Sequence, residues 1–498
     1  MKYIKYLTLG LAATAMLTMT GCADDYLDRT STEAVWDVKM VESLNNIEMT
    51  INGIHRKMVS QDSQDQGAGG EPGFMMSRDF QADDIYWEDN SWHRASHMNW
   101  QAATNPINAY NRIIWEIYYQ FILNANMALE ALDALKDGIV PSQQSQYDRL
   151  RGEALCIRAW GHFQLIQYYA TTYIPGTTNS QRGIPLRLTS QIENLPTSTV
   201  EEVYASINAD LDAAIPALEG YSAPQLTRYT KKVAFGLKAR VALTQRNYTL
   251  AAEYAVKAIE AAEAEGARIM TQDQLMNGFA DITTTTNEAL YAARTRDDQT
   301  VYFYSFYAYM SWNFDAGSIR TGVKCISQST YDMMSPTDLR RAWWDPTGEA
   351  EVSTTAHRKA KYQNRKFTAR ATANAVGDVA FMRLSEMYLI AAEAYARSGN
   401  DTEAKKYLYA LVEERDPEYK DLGNTGDALA EEIMTHRRIE LWGEGFRWFD
   451  LKRLGLPLER KGSNFNLVYA NFLEKPADDP GWVYVIPQSE TNHNPLIQ

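Results

Sequence analysis

The sequence predicts a mostly α-helical protein: a scaffold of stacked helix pairs, tetratricopeptide-like, capped by one long irregular insertion with few short strands. Three observations predict it. Apolar residues recur at three- and four-residue steps over most of the chain, the period of helices with one buried stripe. Thr230–Ala261 laid over Arg383–Glu414 aligns Ala239 with Ala392 and Asn247-x-Thr249-x-Ala251 with Asn400-x-Thr402-x-Ala404, a repeat in constant register. Residues 266–378, rich in Thr and Tyr, show no sustained helical period and read as the insertion.

Taken in order, the chain opens with an address. Lys2 and Lys5 precede an apolar run from Tyr6 to Met19, and the small Gly21 stands just before Cys22. This is the pattern of a secretory signal over residues 1–21, too short and too threonine-interrupted to span a bilayer as a stable helix. A cysteine directly after the small residue reads as the acceptor of a diacylglycerol. Acyl chains contribute about 0.8 kcal/mol per buried methylene, and two or more make a lasting anchor. Met19-Thr20-Gly21-Cys22 resembles the loose lipobox of Bacteroidetes lipoproteins, and Asp24-Asp25 resembles the acidic tag that sends such proteins to the cell surface. No second transmembrane run follows, so residues 22–498 are expected to form a soluble, tethered body.

Composition bounds that body. It is 45% hydrophobic and 22% charged, ordinary for a globular protein with a large core. A formal net charge of −14 speaks against nucleic acid or acidic membrane patches as partners. Of three cysteines, Cys22 is assigned to the anchor; Cys156 and Cys325 make neither a disulfide framework nor a zinc spacing and read as packing residues.

The helices follow. Ile107 to Lys136 carries Ile114, Tyr118, Ile122, Ala125, Leu129 and Leu132, and Gln146 to Tyr169 carries Leu150, Ala154, Ile157, Trp160, Phe163 and Leu165. Gly138 and Pro141 mark the turn between them. Ser60 to Gly73 is glycine-rich and polar and reads as a mobile loop. Its Gly67-x-Gly69 neither follows a strand nor opens a helix, which argues against a nucleotide cradle. Arg182–Pro185 and Leu195–Thr199 are connectors, and Thr199 with Glu202 makes a capping box for a helix to Leu218. In each copy of the repeat, helix, tight polar turn and helix follow one another, with alanines where helices must approach closely. That is the logic of a tetratricopeptide unit of about 34 residues. Trp482 to Pro487 reads as strand-like.

The densest stretch is His436 to Leu454. Ile439, Trp442, Phe446, Phe449 and Leu454 recur as a buried stripe, while Gly443 and Gly445 break it, so two helices are expected to meet at a Gly-Glu-Gly corner. Arg437 can reach Glu440, and Arg447 can reach Asp450, each pair three apart on one helix face. Aromatic residues mixed with paired charges, with no nucleophile or metal cluster, suggest a structural keystone. The stretch resembles the near-C-terminal signature of the SusD/RagB family of outer-membrane nutrient-binding lipoproteins. The shared residues are Arg437, Arg438, Glu440, Leu441, Glu444, Gly445, Arg447, Trp448, Phe449, Asp450, Leu451 and Arg453. His436 stands where the family commonly has an acid, and Phe446 where it has a histidine; both read as packing changes. Gly152, Glu153, Ala154, Arg158 and Ala159 resemble a second family motif, and Ile486-Pro487 with Glu490 and Asn494-Pro495 its usual ending. With the pair at 107–169 and the pair at 427–454, the helix pairs number about four, as the resemblance implies.

Signatures of catalysis are missing: no Gly-x-Ser-x-Gly, no His-Glu-x-x-His and no phosphate loop occurs. His93 and His97, with Asp89 nearby, could face one way for zinc, but their surroundings read as loop, and no metal or cofactor is assigned. Asp83-Asp84 is the nearest candidate for the paired carboxylates of a glycosidase. Aromatic side chains in polar company stand out instead. Tyr86, Trp87, Trp92 and Trp100 lie among Asp89, Asn90, Arg94 and Asn99; Tyr304, Tyr307 and Trp312 lie beside Asn313 and Asp315. Flat aromatic faces cover the C–H faces of sugar rings, and the amides, carboxylates and guanidiniums can meet the hydroxyls. The alternative for these rings is the core of the insertion, and alternation along Tyr302, Tyr304 and Phe306 also fits a half-buried strand.

The resemblance implies a non-catalytic, surface-exposed outer-membrane lipoprotein that captures an oligosaccharide and passes it to a SusC-type TonB-dependent transporter. A peptide- or protein-binding module of the same family is the alternative reading, and a surface glycoside hydrolase a further one.

Overall fold

The computed structural model describes residues 43–60, 69–87, 95–223, 225–277, 279–296, 305–315, 322–351 and 358–497. The signal and Cys22 lie outside them. The principal helices are α1 (Leu44–Met58), α2 (Gly70–Gln81), α3 (Ala109–Leu135), α4 (Gln144–Tyr169), α5 (Val200–Ala217), α6 (Lys231–Thr244), α7 (Tyr248–Ala264), α8 (Leu384–Arg397), α9 (Asp401–Val412), α10 (Gly426–Glu440) and α11 (Arg447–Leu454).

The pairs stack in chain order. α3 lies along α4, and Gly161 permits the approach, since a Cβ there would sit 2.7 Å from Ile122. α5 covers the other side of α4. Its start follows the strand pair β2 (Arg182–Pro185) and β3 (Thr197–Thr199), and the expected capping box is in place. Glu202 N–H donates to Thr199 Oγ1 at 3.2 Å, and Thr199 N–H to Glu202 Oε2 at 2.8 Å.

The repeat is equally plain. α6 packs on α7 and α8 on α9, with α7 against α8 joining the two copies. Asn247 and Asn400 cap equivalent helices, each accepting from the N–H three residues on, at 3.2 Å in both. Ala239 and Ala392 are fully buried. The last unit departs from this plan: α10 rests on α8 and α9, but α11 packs on α2.

The insertion has its own apolar core, which includes Trp87, Trp343, Trp344, Phe367 and Trp442. Around it four short antiparallel strands run in the order β1 (Ile85–Tyr86), β5 (Cys325–Ile326), β7 (Gln363–Asn364), β6 (Trp344–Asp345). A separate antiparallel pair, β4 (Ala289–Ala293) with β8 (Val379–Arg383), ties the insertion to the repeats, because β8 runs directly into α8.

Three expectations give way. The loop read over Ser60–Gly73 is helical from Gly70, and α2 is buried along its whole length. Its polarity is answered by distant partners: Glu71 accepts from Arg78 at 2.8 Å and from the Tyr118 hydroxyl at 2.5 Å, while Arg78 Nε donates to the Gly445 carbonyl at 2.9 Å. Trp482–Pro487 joins no sheet; Tyr484 and Val485 N–H donate singly to the carbonyls of Tyr168 and Ala103, each at 2.9 Å. Phe306, read as one position of a half-buried strand, begins a short helix, Phe306–Met310.

Candidate ligand-binding surface

The Gly-Glu-Gly corner and the helix before it are densely paired. Glu444 accepts from Arg383 Nε at 2.7 Å and from Lys366 Nζ at 2.7 Å. Glu440 accepts from Arg415 at 2.9 Å, Arg383 at 3.1 Å and Arg340 at 3.3 Å. The pairs expected three apart do not form. Arg437 reaches Asp450 instead, at 2.8 Å, and Arg447 reaches Asp83 at 2.7 Å, because each guanidinium points across to another element. Arg438 holds Asp84 at 2.6 Å. Burial alone would raise the Asp83 carboxyl, but Arg447 and Arg438 outweigh it and hold its pKa at about 2. Asp83 and Asp84 are thus committed to buried ion pairs rather than facing a cleft across a glycosidic bond. Trp448 is 0% exposed. All of this binds helices to the insertion, with Trp442, Glu444 and Trp448 buried.

Most of the aromatic candidates within the described residues are core, which corrects their reading as platforms. Trp87 is 2% exposed, its ring 4.6 Å from Phe80 and under the Lys324 ammonium. Tyr86 sits in β1 against Phe465. Trp100, 2% exposed, donates from Nε1 to the Gln81 carbonyl at 2.9 Å and lies under Phe472 and Trp482 of the C-terminal segment. The Tyr307 hydroxyl sits between the carbonyls of Phe279 and Asp378, and Gly377 abuts its ring. The polar neighbours of these rings serve the backbone. Asn99 accepts from Gln101 N–H at 3.1 Å, and Asn313 pairs both ways with Ala369, each bond 2.7 Å. Asp89, Asn90, Trp92, Arg94 and Tyr304 lie outside the described residues, as does His93. His97 is buried beside Ser77, at 3.2 Å.

Trp312 is the exception. It is half-buried, its Nε1 donates to Thr368 at 2.8 Å, and the Arg365 guanidinium lies 4.1 Å from the ring centre. A shallow groove runs past it, bordered by Tyr309, Lys324 and Arg358.

A much larger opening, about 1050 Å³, lies between α1, residues 225–228 and the β4–β8 pair. Asn52, Gln225 and Thr227 offer polar groups there, and the half-buried Phe381 ring forms part of the wall beside Tyr291. The sequence reading missed this cleft. Its one local signal was Arg294-Thr295-Arg296, two arginines at alternate positions past the end of a strand, where side chains two apart share a face. Among the described residues no cluster of His, Cys, Asp and Glu is arranged to hold a metal ion, and no helix is long and apolar enough to cross a membrane.

Comparison with known proteins covers both halves of the chain. A family model described as starch-binding and associating with the outer membrane matches residues 25–243, and the SusD family model matches residues 247–498. A SusD-like carbohydrate-binding protein from Bacteroides vulgatus superposes with a TM-score of 0.78 at 23% identity, over 91% of this chain and 97% of that one. Surface glycan-binding protein A from Bacteroides fluxus superposes with a TM-score of 0.66 at 19% identity, over 90% and 96%. At these identities the likeness is one of fold. SusD-like protein P38 from Formosa agariphila is 32% identical over 93 residues, 17% of this chain and 18% of that protein's length.

Proposed function

The chain belongs to the SusD family, and on that premise we propose that it is a non-catalytic glycan receptor tethered at the outer-membrane surface. It binds an oligosaccharide and hands it to a SusC-type TonB-dependent transporter. The observation that carries this reading is the match of family models to both halves of the chain, one of them described as starch-binding and associating with the outer membrane. Solved proteins of the same fold described as carbohydrate- or glycan-binding support it. Two features of the surface agree with glycan binding: the half-buried Trp312 ring and the wide cleft beside β4, an aromatic wall with a few amides and hydroxyls. Among the described residues the lining of that cleft holds no carboxylate, and Asp83-Asp84 is occupied by arginines.

Residues 1–21 act as the secretory signal, and Cys22 carries the lipid. Replacing Cys22 by Ala is expected to release the protein from the membrane fraction; retention of the variant would contradict the lipid anchor. The receptor reading itself is tested by extracting the protein in mild detergent and asking whether a much heavier membrane protein comes with it. Standard protein interfaces bury roughly 1,200–2,000 Å², enough to survive such extraction. Recovery of the chain alone at every salt concentration tried would contradict transfer to a barrel.

A further inference from the structure

We propose that the cleft between α1 and the β4–β8 pair takes an anionic stretch of the glycan, one bearing uronate or sulfate groups. The proposal deepens the receptor reading and rests on it. Among the described residues the cleft is lined by five arginines (Arg56, Arg228, Arg294, Arg296 and Arg370) together with His55, and by no Asp or Glu. That is unexpected in a chain with 63 acidic residues against 49 basic ones.

Not all of this charge is available. Arg228 is held from behind by Glu153 at 3.2 Å and Glu48 at 3.5 Å, and Arg370 by Asp281 and Asp378. Arg56 and Arg294 are different: both are exposed, and neither makes an ion pair among the described residues. They approach the cleft from two elements, α1 and the end of β4, so an anion between them meets cations from both sides. The planar guanidinium fork matches a carboxylate or sulfate by paired N–H donors. A concave wall of one sign also concentrates potential, and here it does so on a body whose net charge of −14 would otherwise repel an acidic chain.

The volume, about 1050 Å³, argues for more than a small anion. It lies at the upper end of pockets that enclose whole organic ligands. Phe381 offers a partly open ring, and Asn52, Gln225 and Thr227 offer donors and acceptors suited to hydroxyls. A sugar chain with charged substituents uses all of these.

The test titrates the full-length lipoprotein in mild detergent with oligogalacturonate, its methyl ester, a sulfated galactan oligosaccharide, a neutral glucan and poly-glutamate, at low and high salt. Arg56→Gln and Arg294→Gln are measured alongside, with melting curves to confirm that they fold. The expected result is saturable binding of oligogalacturonate or the sulfated oligosaccharide, weakened by salt. Each arginine substitution should weaken it about tenfold, as loss of one charged hydrogen bond would, and the methyl ester should bind no better than the variants do. Equal affinity for acid and ester, or unchanged affinity in both variants, overturns the proposal. So does poly-glutamate binding as tightly as the acidic glycans. If the neutral glucan alone binds, the acidic cleft is wrong and the receptor reading stands. If no glycan binds, both fail.

Discussion

Arg383 and Glu444, 61 residues apart, meet in a two-point contact, Nε to Oε2 at 2.7 Å and Nη2 to Oε1 at 2.8 Å. Arg383 ends β8 and precedes α8, and Glu444 sits between the two glycines of the corner, so this contact fastens the insertion and the repeats at one point. Gly445 makes it possible: its φ of +84° suits glycine, and a Cβ there would lie 2.6 Å from the Met75 backbone. The family signature around it is explained as architecture.

Breaking the contact from one side should be costly. Glu444→Gln or Arg383→Met strands a buried charge, and about 3–5 kcal/mol of stability should be lost. Trp448→Ala, which empties a fully buried indole site, should cost a similar ~3–5 kcal/mol. Glycan affinity measured well below the melting temperature should be unchanged. A variant that melts like the parent but fails to bind would mean that the corner touches ligand.

The two copies of the repeat should respond alike to loss of their caps. Asn247→Ala and Asn400→Ala each remove one side-chain acceptor of the same geometry, so each should lower stability by about 1 kcal/mol. Chemical denaturation of both variants checks this. One costly and one silent substitution would show that the shared sequence pattern hides different local energetics.

Acid should unfold the protein in a defined window. Asp83 titrates at about 2 when folded and near ~3.9 when unfolded. A carboxyl with a depressed folded pKa contributes stability that is complete above the unfolded value and lost as pH falls through the folded one. Glu440, Glu444, Asp450 and Glu393 are depressed as well, burial opposing and their arginines prevailing, and they act with the same sign. Asp79 works the other way. Burial lifts it to about 7, against the N–H groups of Gly445 and Arg447, so protonating it near neutrality favours the fold. Burial holds His162 and His436 neutral down to about 3, so below their unfolded value of ~6.5 they oppose Asp79. The urea midpoint should therefore decline gradually from pH ~6.5 and fall steeply below about 4. A midpoint flat down to pH ~2.5 would contradict this balance.

Trp100 and Trp312 should separate core from surface. Trp100→Ala should lower stability by about 3–5 kcal/mol, since the ring is enclosed. Trp312→Ala should leave the melt nearly in place and weaken glycan binding by about 1–3 kcal/mol, a scale taken from aromatic stacking on nucleobases. Melting and affinity measured on both variants decide it. If Trp312→Ala binds like the parent, that groove is not part of the site.

Periodic features could be read from the sequence because their causes are local. The three- and four-residue steps of α3 and α4, the Thr199 box and the paired asparagine caps depend only on neighbours along the chain. α2 could not be read that way. Its Glu71, Arg78 and Asp79 look like solvated residues until Tyr118, Gly445 and Arg447 supply partners from elsewhere in the chain. Tyr86, Trp87, Trp100 and Tyr307 look like open rings in the sequence for the same reason. Polar neighbours suggest an open surface around Trp100, whereas Asn99 accepts from the Gln101 N–H and Phe472 and Trp482 arrive from the far end of the chain to cover the ring. The arginine cleft escaped notice because Arg56, Arg294 and Arg370 converge only through the fold.

One measurement bears most directly on the central claim, that this chain binds glycan without cleaving it. Neutral and acidic oligosaccharides and a set of peptides are titrated into the purified protein calorimetrically, and each glycan sample is then resolved by chain length after prolonged incubation. The account predicts saturable binding of at least one glycan, with its length distribution unchanged. Shortened products, or binding confined to peptides in the same panel, would contradict it.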